Sequence, residues 1–128
     1  MEIKLKRSLV IVLAMVLLSG CVKQIAREET RPRSPREKAS LQLMEEGRRL
    51  LDEDQPDQAI RSFEQSLSLN PDNGPCYYFL AEALIQKGNF SEARQFNSLA
   101  ENYLKKDKSW MARVVRQADK IDGMEKKY

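Results

Sequence analysis

Few side chains in this chain of 128 residues could do chemistry, and their spacing does not favour catalysis. There is no histidine, which removes the usual general base at neutral pH, the Ser-His-Asp and Cys-His arrangements, and the commonest zinc ligand. Carboxylates pair at Glu45-Glu46 and in Asp52-Glu53-Asp54, but neighbours on a helix point to different faces and make no acid/base couple. Glycines stand singly at Gly20, Gly47, Gly74, Gly88 and Gly123, so no glycine-rich phosphate loop forms. Two thiols remain, Cys21 and Cys76. Cys76 reads either as a small buried hydrophobe or as a redox-active thiol, the second without a histidine or a nearby cysteine to support it. The expectation is a protein that is not an enzyme and holds no metal.

The segment that places Cys21 is more informative. Glu2, Lys4, Lys6 and Arg7 precede an unbroken apolar run over residues 9–18, followed by Ser19, Gly20 and Cys21. A charged start, an apolar middle and a small-residue exit make the layout of a secretory signal over residues 1–20. A membrane span needs about 20 apolar residues to cross roughly 30 Å of hydrocarbon, and this run is about half that long. Leu18-Ser19-Gly20-Cys21 resembles the lipobox of bacterial lipoproteins. That resemblance implies cleavage just before Cys21, a diacylglycerol thioether on its sulfur, and a palmitate-type acyl group on the new amino terminus. These covalent lipids are the sole cofactor-like groups expected. Several acyl chains hold where one binds marginally, since each buried methylene contributes about 0.8 kcal/mol. An ordinary cleaved signal with a chance cysteine, or an uncleaved amphipathic anchor, is the alternative. Val22 follows the cysteine in place of the aspartate that favours inner-membrane retention, so the resemblance points to the outer membrane, facing the periplasm. With Cys21 lipidated, Cys76 has no partner for an internal disulfide.

Residues beyond the signal suffice for one compact domain. Of the formal charge of +3, the signal carries +2, which leaves the remainder near neutral. Charge is sorted along the chain, with +3 over residues 22–38, −6 over 39–104 and +4 over 105–128. The basic ends could meet nucleic acid or anionic lipid, but an exported protein rarely meets nucleic acid and the excess is small, so solvated surface is the reading adopted.

The elements that follow are a linker and a set of helices. Residues 21–34 are polar and charged, with Pro32 near the end, and read as a flexible tether reaching roughly 20 Å. Ser34, Pro35 and Glu37 are spaced as a helix cap, a first-turn proline and the far member of a capping box. The interval from Ala59 to Ala93 then matches the period of the tetratricopeptide repeat, about 34 residues. The sequence resembles that family over two repeats, residues 40–73 and 74–107. In the first, Leu43, Gly47, Leu50, Ala59, Phe63 and Pro71 fall on the pattern. In the second, Tyr77, Leu80, Ala81, Leu84, Ala93 and Ala100 do so, around the turn Lys87-Gly88-Asn89-Phe90. Departures are Glu46, Ser66, Asn97 and Lys105, and Phe96 is expected to fill the space that Asn97 leaves.

The pattern has a physical content of its own. Gly47 with Ala59, and Ala81 with Ala93, are small residues that let two antiparallel helices approach closely. Residues 108–123 read as a C-terminal capping helix in which Met111, Val114, Val115 and Ala118 take up the phases of Tyr77, Leu80, Ala81 and Leu84. Arg113, Arg116, Asp119 and Lys120 give it a polar outer face, Gly123 ends it, and residues 124–128 form a tail. The expected fold is all-α, an antiparallel helix-turn-helix solenoid of about two and a half repeats.

Function is read through the same resemblance. In such arrays the concave surface is lined by first-helix residues, here Leu41, Met44, Arg48, Leu51, Tyr78, Glu82, Ile85, Gln86, Ala112 and Arg116, and it suits an extended or helical peptide; the alternative is that Leu41, Leu51 and Ile85 are core and Arg48 and Glu82 solvated surface. Tyr77-Tyr78-Phe79 and Trp110 read as packing, with Tyr78 alone given weight as a contact. The implied protein is an adaptor for cell-envelope proteins, attached to the membrane through its lipid and without a nucleic-acid partner. An array this short is also expected to be completed by a partner helix or by homodimer pairing. The alternative is a structural accessory that stabilises an envelope complex or docks anionic cell-wall polymer.

Overall fold

A computed structural model describes residue 3 and residues 31–127. The expected signal segment apart from residue 3, Cys21 with its expected lipid, the tether up to residue 30, and Tyr128 lie outside the described residues. Among residues 31–127 five helices follow one another: α1 Pro35–Asp52, α2 Pro56–Leu69, α3 Gly74–Gln86, α4 Phe90–Leu104 and α5 Lys108–Glu125. Among the described residues there is no strand, and no helix is long and apolar enough to cross a membrane.

Each helix starts where local chemistry satisfies its first amides. Ser34 Oγ accepts from the Glu37 amide at 3.2 Å while the Ser34 amide donates to Glu37 Oε2 at 2.7 Å, a complete capping box. The side chains of Asn73, Asn89 and Asp107 accept from the amides of Cys76, Glu92 and Ser109 in the same way. Helix α2 has no side-chain cap and opens instead on Pro56, whose missing N–H leaves nothing unsatisfied at that position.

The turns inside the two hairpins repeat each other. Asp54 and Gly88 have φ of 57° and 77° and occupy the same place in successive repeats. The next amide in each turn, that of Gln55 or Asn89, donates to Leu50 O or Leu84 O at 2.9 Å. A left-handed residue followed by this long backward bond is the usual way to close a helix and reverse the chain.

Close approach of the helices rests on the small residues. A Cβ on Gly47 would lie 2.5 Å from Phe63 Cε1, and Ala59, Ala81, Ala93 and Ala100 have no exposed surface. Phe63 is itself fully buried, an enclosure that contributes roughly 1.5–3 kcal/mol. Each helix packs on its neighbour in the chain, and α1 with α3 and α3 with α5 also touch, so first helices line up side by side. Met44, Leu50, Phe63, Leu80, Leu84 and Ile121 belong to one apolar cluster, and Ala100, Leu104 and Val114 with Tyr77, Tyr78 and Trp110 form another.

Two of the departures from the repeat pattern are satisfied polar contacts. Ser66 Oγ donates to Ser40 O at 2.7 Å, and Asn73 Nδ2 donates to Ser40 Oγ at 3.3 Å, which knits α1, α2 and the start of α3 together. Asn97 is buried and donates to Val114 O and Gln117 Oε1, both at 2.9 Å. It therefore leaves no space for Phe96, which instead stacks on Tyr77 with ring centroids 6.3 Å apart.

Helix α5 differs from expectation in two respects. It runs through Gly123 to Glu125, because Gly123 keeps an ordinary helical backbone in open space and supplies no left-handed stop. Its buried residues are Val114, Gln117 and Ile121, while Val115 is 52% exposed. Ala81 at the equivalent place is covered within the α3–α4 hairpin, and no helix follows α5 among the described residues to cover Val115 in turn.

Candidate functional site

Where α1, α3 and α5 line up, their side chains enclose a cleft of about 260 Å³. Helix α1 contributes Arg48, Leu51 and Asp52, α3 contributes Tyr78, Phe79, Glu82 and Gln86, and α5 contributes Arg113. Five of the residues expected in the groove are there together: Arg48, Leu51, Tyr78, Glu82 and Gln86. Met44 and Ile85 do not line it and are buried in the core, to which Leu51 also belongs. Leu41 is half-buried against that core. Arg116 and Ala112 are exposed on α5 outside the cleft lining.

Two aromatic side chains, Tyr78 and Phe79, line this cleft, and Trp110 packs against both from outside the lining. Tyr78, Phe79 and Trp110 meet edge to face, with centroids 5.3 Å apart for Tyr78–Phe79, 5.5 Å for Tyr78–Trp110 and 6.0 Å for Phe79–Trp110. This geometry sets the positive edge of one ring against the negative face of another. Phe79 also stacks on the buried Phe63, at 6.3 Å, so the cluster is anchored in the first hairpin.

Two guanidinium groups flank the rings. Arg48 lies 4.7 Å from the Phe79 centroid, and Arg113 lies 4.9 Å from Trp110 and 5.8 Å from Tyr78. These distances suit cation–π attraction. Arg48 is also paired with Glu45 at 2.9 Å, whereas Arg113 makes no ion pair among the described residues. Burial, and after it the charge of Glu82, raise the Tyr78 hydroxyl above its ordinary range, partly offset by Arg113 and Arg116. It is a neutral phenol at physiological pH, able to donate or accept a hydrogen bond.

The cleft is held in shape from behind. Gln117 Nε2 donates to Tyr78 O at 3.0 Å and to Glu82 Oε1 at 2.8 Å, and its own carbonyl accepts from Asn97. Lys120 reaches the other Glu82 oxygen at 3.1 Å. This chain of bonds fixes α5 against α3 and α4 and fixes the carboxylate that lines the cleft. Sequence reasoning missed Gln117, although it lies between Val114 and Ile121 at helical spacing, on the buried stripe of the helix.

Such a site can grip a side chain or a short segment by apolar contact, by hydrogen bonds and by charge. No activated nucleophile stands in it. Cys76 is fully buried away from the cleft, its Sγ donates to Phe63 O at 3.5 Å, and burial pushes its thiol up to about 11. Of the two sequence readings of Cys76, the structure selects the buried small hydrophobe.

Among curated proteins, none matches the chain. The repeat geometry of the two hairpins and the first helix beyond them has its counterpart in a match to the tetratricopeptide repeat over residues 50–114. That stretch covers half of the chain, and the chain belongs to the tetratricopeptide repeat family, whose helical arrays mediate protein–protein interactions.

Proposed function

We propose that this chain is a lipid-anchored adaptor that holds a peptide or helix of another cell-envelope protein in the cleft between α1, α3 and α5. The observation that carries the reading is the edge-to-face cluster of Tyr78, Phe79 and Trp110, flanked by Arg48 and Arg113, at the junction of the three first helices. Tyrosine, tryptophan and arginine are the residues that most often dominate binding energy at protein interfaces. Attachment through lipid on Cys21 rests on Leu18-Ser19-Gly20-Cys21 at the end of the apolar run, and placement at the outer membrane rests on Val22. Assembly of envelope machinery is the kind of work that suits a small scaffold held at that surface.

Affinity capture from solubilised envelope tests the cleft. Tyr78→Ala combined with Arg48→Ala, and separately Arg113→Ala, should each lose the proteins that the unaltered chain retains. Recovery of the same proteins by all of these variants would show that the cleft is not the binding site. The anchor has its own assay: labelled palmitate should be incorporated by the unaltered chain and not by Cys21→Ser, and incorporation by that variant would refute lipidation at Cys21.

A further inference from the structure

The repeat register identifies a face of α5 that no other element covers among the described residues. Gly47, Ala81 and Val115 hold the same place in three successive first helices. Gly47 lies against Phe63 of α2 and Ala81 is fully buried, whereas Val115 is 52% exposed. Around it on the same face, half-buried Met111 and Ala118 and exposed Ala112 make an apolar strip, bordered by exposed Asp119. Lys108 and Asp122 stand equally far to either side of Val115, about two helical turns away and therefore at the two ends of that strip.

We infer that this face pairs with the same face of a second copy of the chain, the two α5 helices running antiparallel about Val115. The distribution of charge selects both the partner and the direction. A two-fold axis through Val115 brings each Lys108 opposite Asp122 of the second copy, and each Ala112 to the level of its Ala118. Parallel pairing would set lysine against lysine and aspartate against aspartate, which is repulsive. Asp122 is already oriented at this edge by its ion pair with Arg94 of α4. The face is separate from the cleft, because Arg113 precedes Val115 by two positions and so projects from the far side of α5. The paired molecule presents two clefts.

Sedimentation equilibrium of the full chain in detergent, over a range of concentrations, tests the pairing. The unaltered chain should reach a dimer. Val115→Glu, which places like charges on the axis, should weaken association by at least about tenfold while leaving the helical circular dichroism unchanged. Lys108→Glu should weaken it, because each new glutamate faces Asp122 of the second copy, and Lys108→Arg should preserve it. A single monomer at every concentration would overturn the inference. So would association that Val115→Glu or Lys108→Glu leaves unaltered.

Discussion

Gly47→Ala sets two opposing effects against each other. Alanine inside a helix is favoured over glycine by about 1 kcal/mol, so the substitution would stabilise α1 if the site had room. It has none: the new Cβ would lie 2.5, 2.7 and 2.8 Å from Cε1, Cδ1 and Cζ of Phe63, and carbon contacts are comfortable only from about 3.5 Å. The ring would have to withdraw by nearly an ångström, yet it is fully enclosed and stacked on Phe79. Overpacking of a closed core costs about 1–3 kcal/mol, and a rigid ring with no exit puts this case in the upper half of that range. Gly47→Ala should therefore destabilise by about 1–2 kcal/mol once the helix gain is subtracted. With Phe63→Leu already present the clash is relieved, and the same methyl should become neutral or stabilising. Urea unfolding followed by helical circular dichroism on all four members of the cycle measures the coupling, expected to be about 2 kcal/mol. If Gly47→Ala stabilises the unaltered protein, or shifts both backgrounds equally, Gly47 does not set the distance between α1 and α2.

Gly88→Ala meets no steric obstacle but must hold φ at 77°, so it should lower stability by about 1–2 kcal/mol in the same urea assay. Gln117→Leu strips partners from the Tyr78 carbonyl and the Asn97 amide, and should lower stability by about 2 kcal/mol. Adding Asn97→Leu should recover part of that loss, and a neutral Gln117→Leu would refute the network. The Cys76 thiol is raised to about 11 from an ordinary 9.0, so below pH 9 both folded and unfolded chains keep the proton and its contribution is fully present. Between pH 9 and 11 the unfolded chain ionises while the folded one does not, and stability falls. Comparison of Cys76→Ala with the unaltered protein across that interval should show the shallower fall in the variant, and parallel curves would refute the burial argument.

Much of the helical frame can be read from periodicity and capping. The repeat spacing of Ala59 and Ala93, the Ser34-Pro35-Glu37 start and the proline and glycine turns correspond to the hairpins and caps observed, because each signal is local and each has a backbone consequence. What escapes depends on contacts between helices. Trp110 lies in the phase of Cys76, so the register alone suggests a buried side chain, and its meeting with Tyr78 and Phe79 follows from how α5 leans on α3. Phe79 escapes because a run of three aromatics does not say which of them faces the cleft. Met44 and Ile85 fail for the converse reason: the first-helix face judged concave is wider than the part that solvent reaches. Asn97 reads as a defect because the apolar pattern has no symbol for an amide that finds a carbonyl and a glutamine at the same depth.

Helix α5 supplies one wall of the cleft yet is secured by three buried side chains, Val114, Gln117 and Ile121. It is the element whose local melting requires the least disruption, and in a linear array an end can open without its neighbours. Whenever it lifts, Arg113 and Trp110 leave with it and the receptor is incomplete. The measured affinity is then the intrinsic one scaled by the fraction of time this flap is closed, so substitutions behind the flap, out of reach of any ligand, would tune how tightly the protein holds its client.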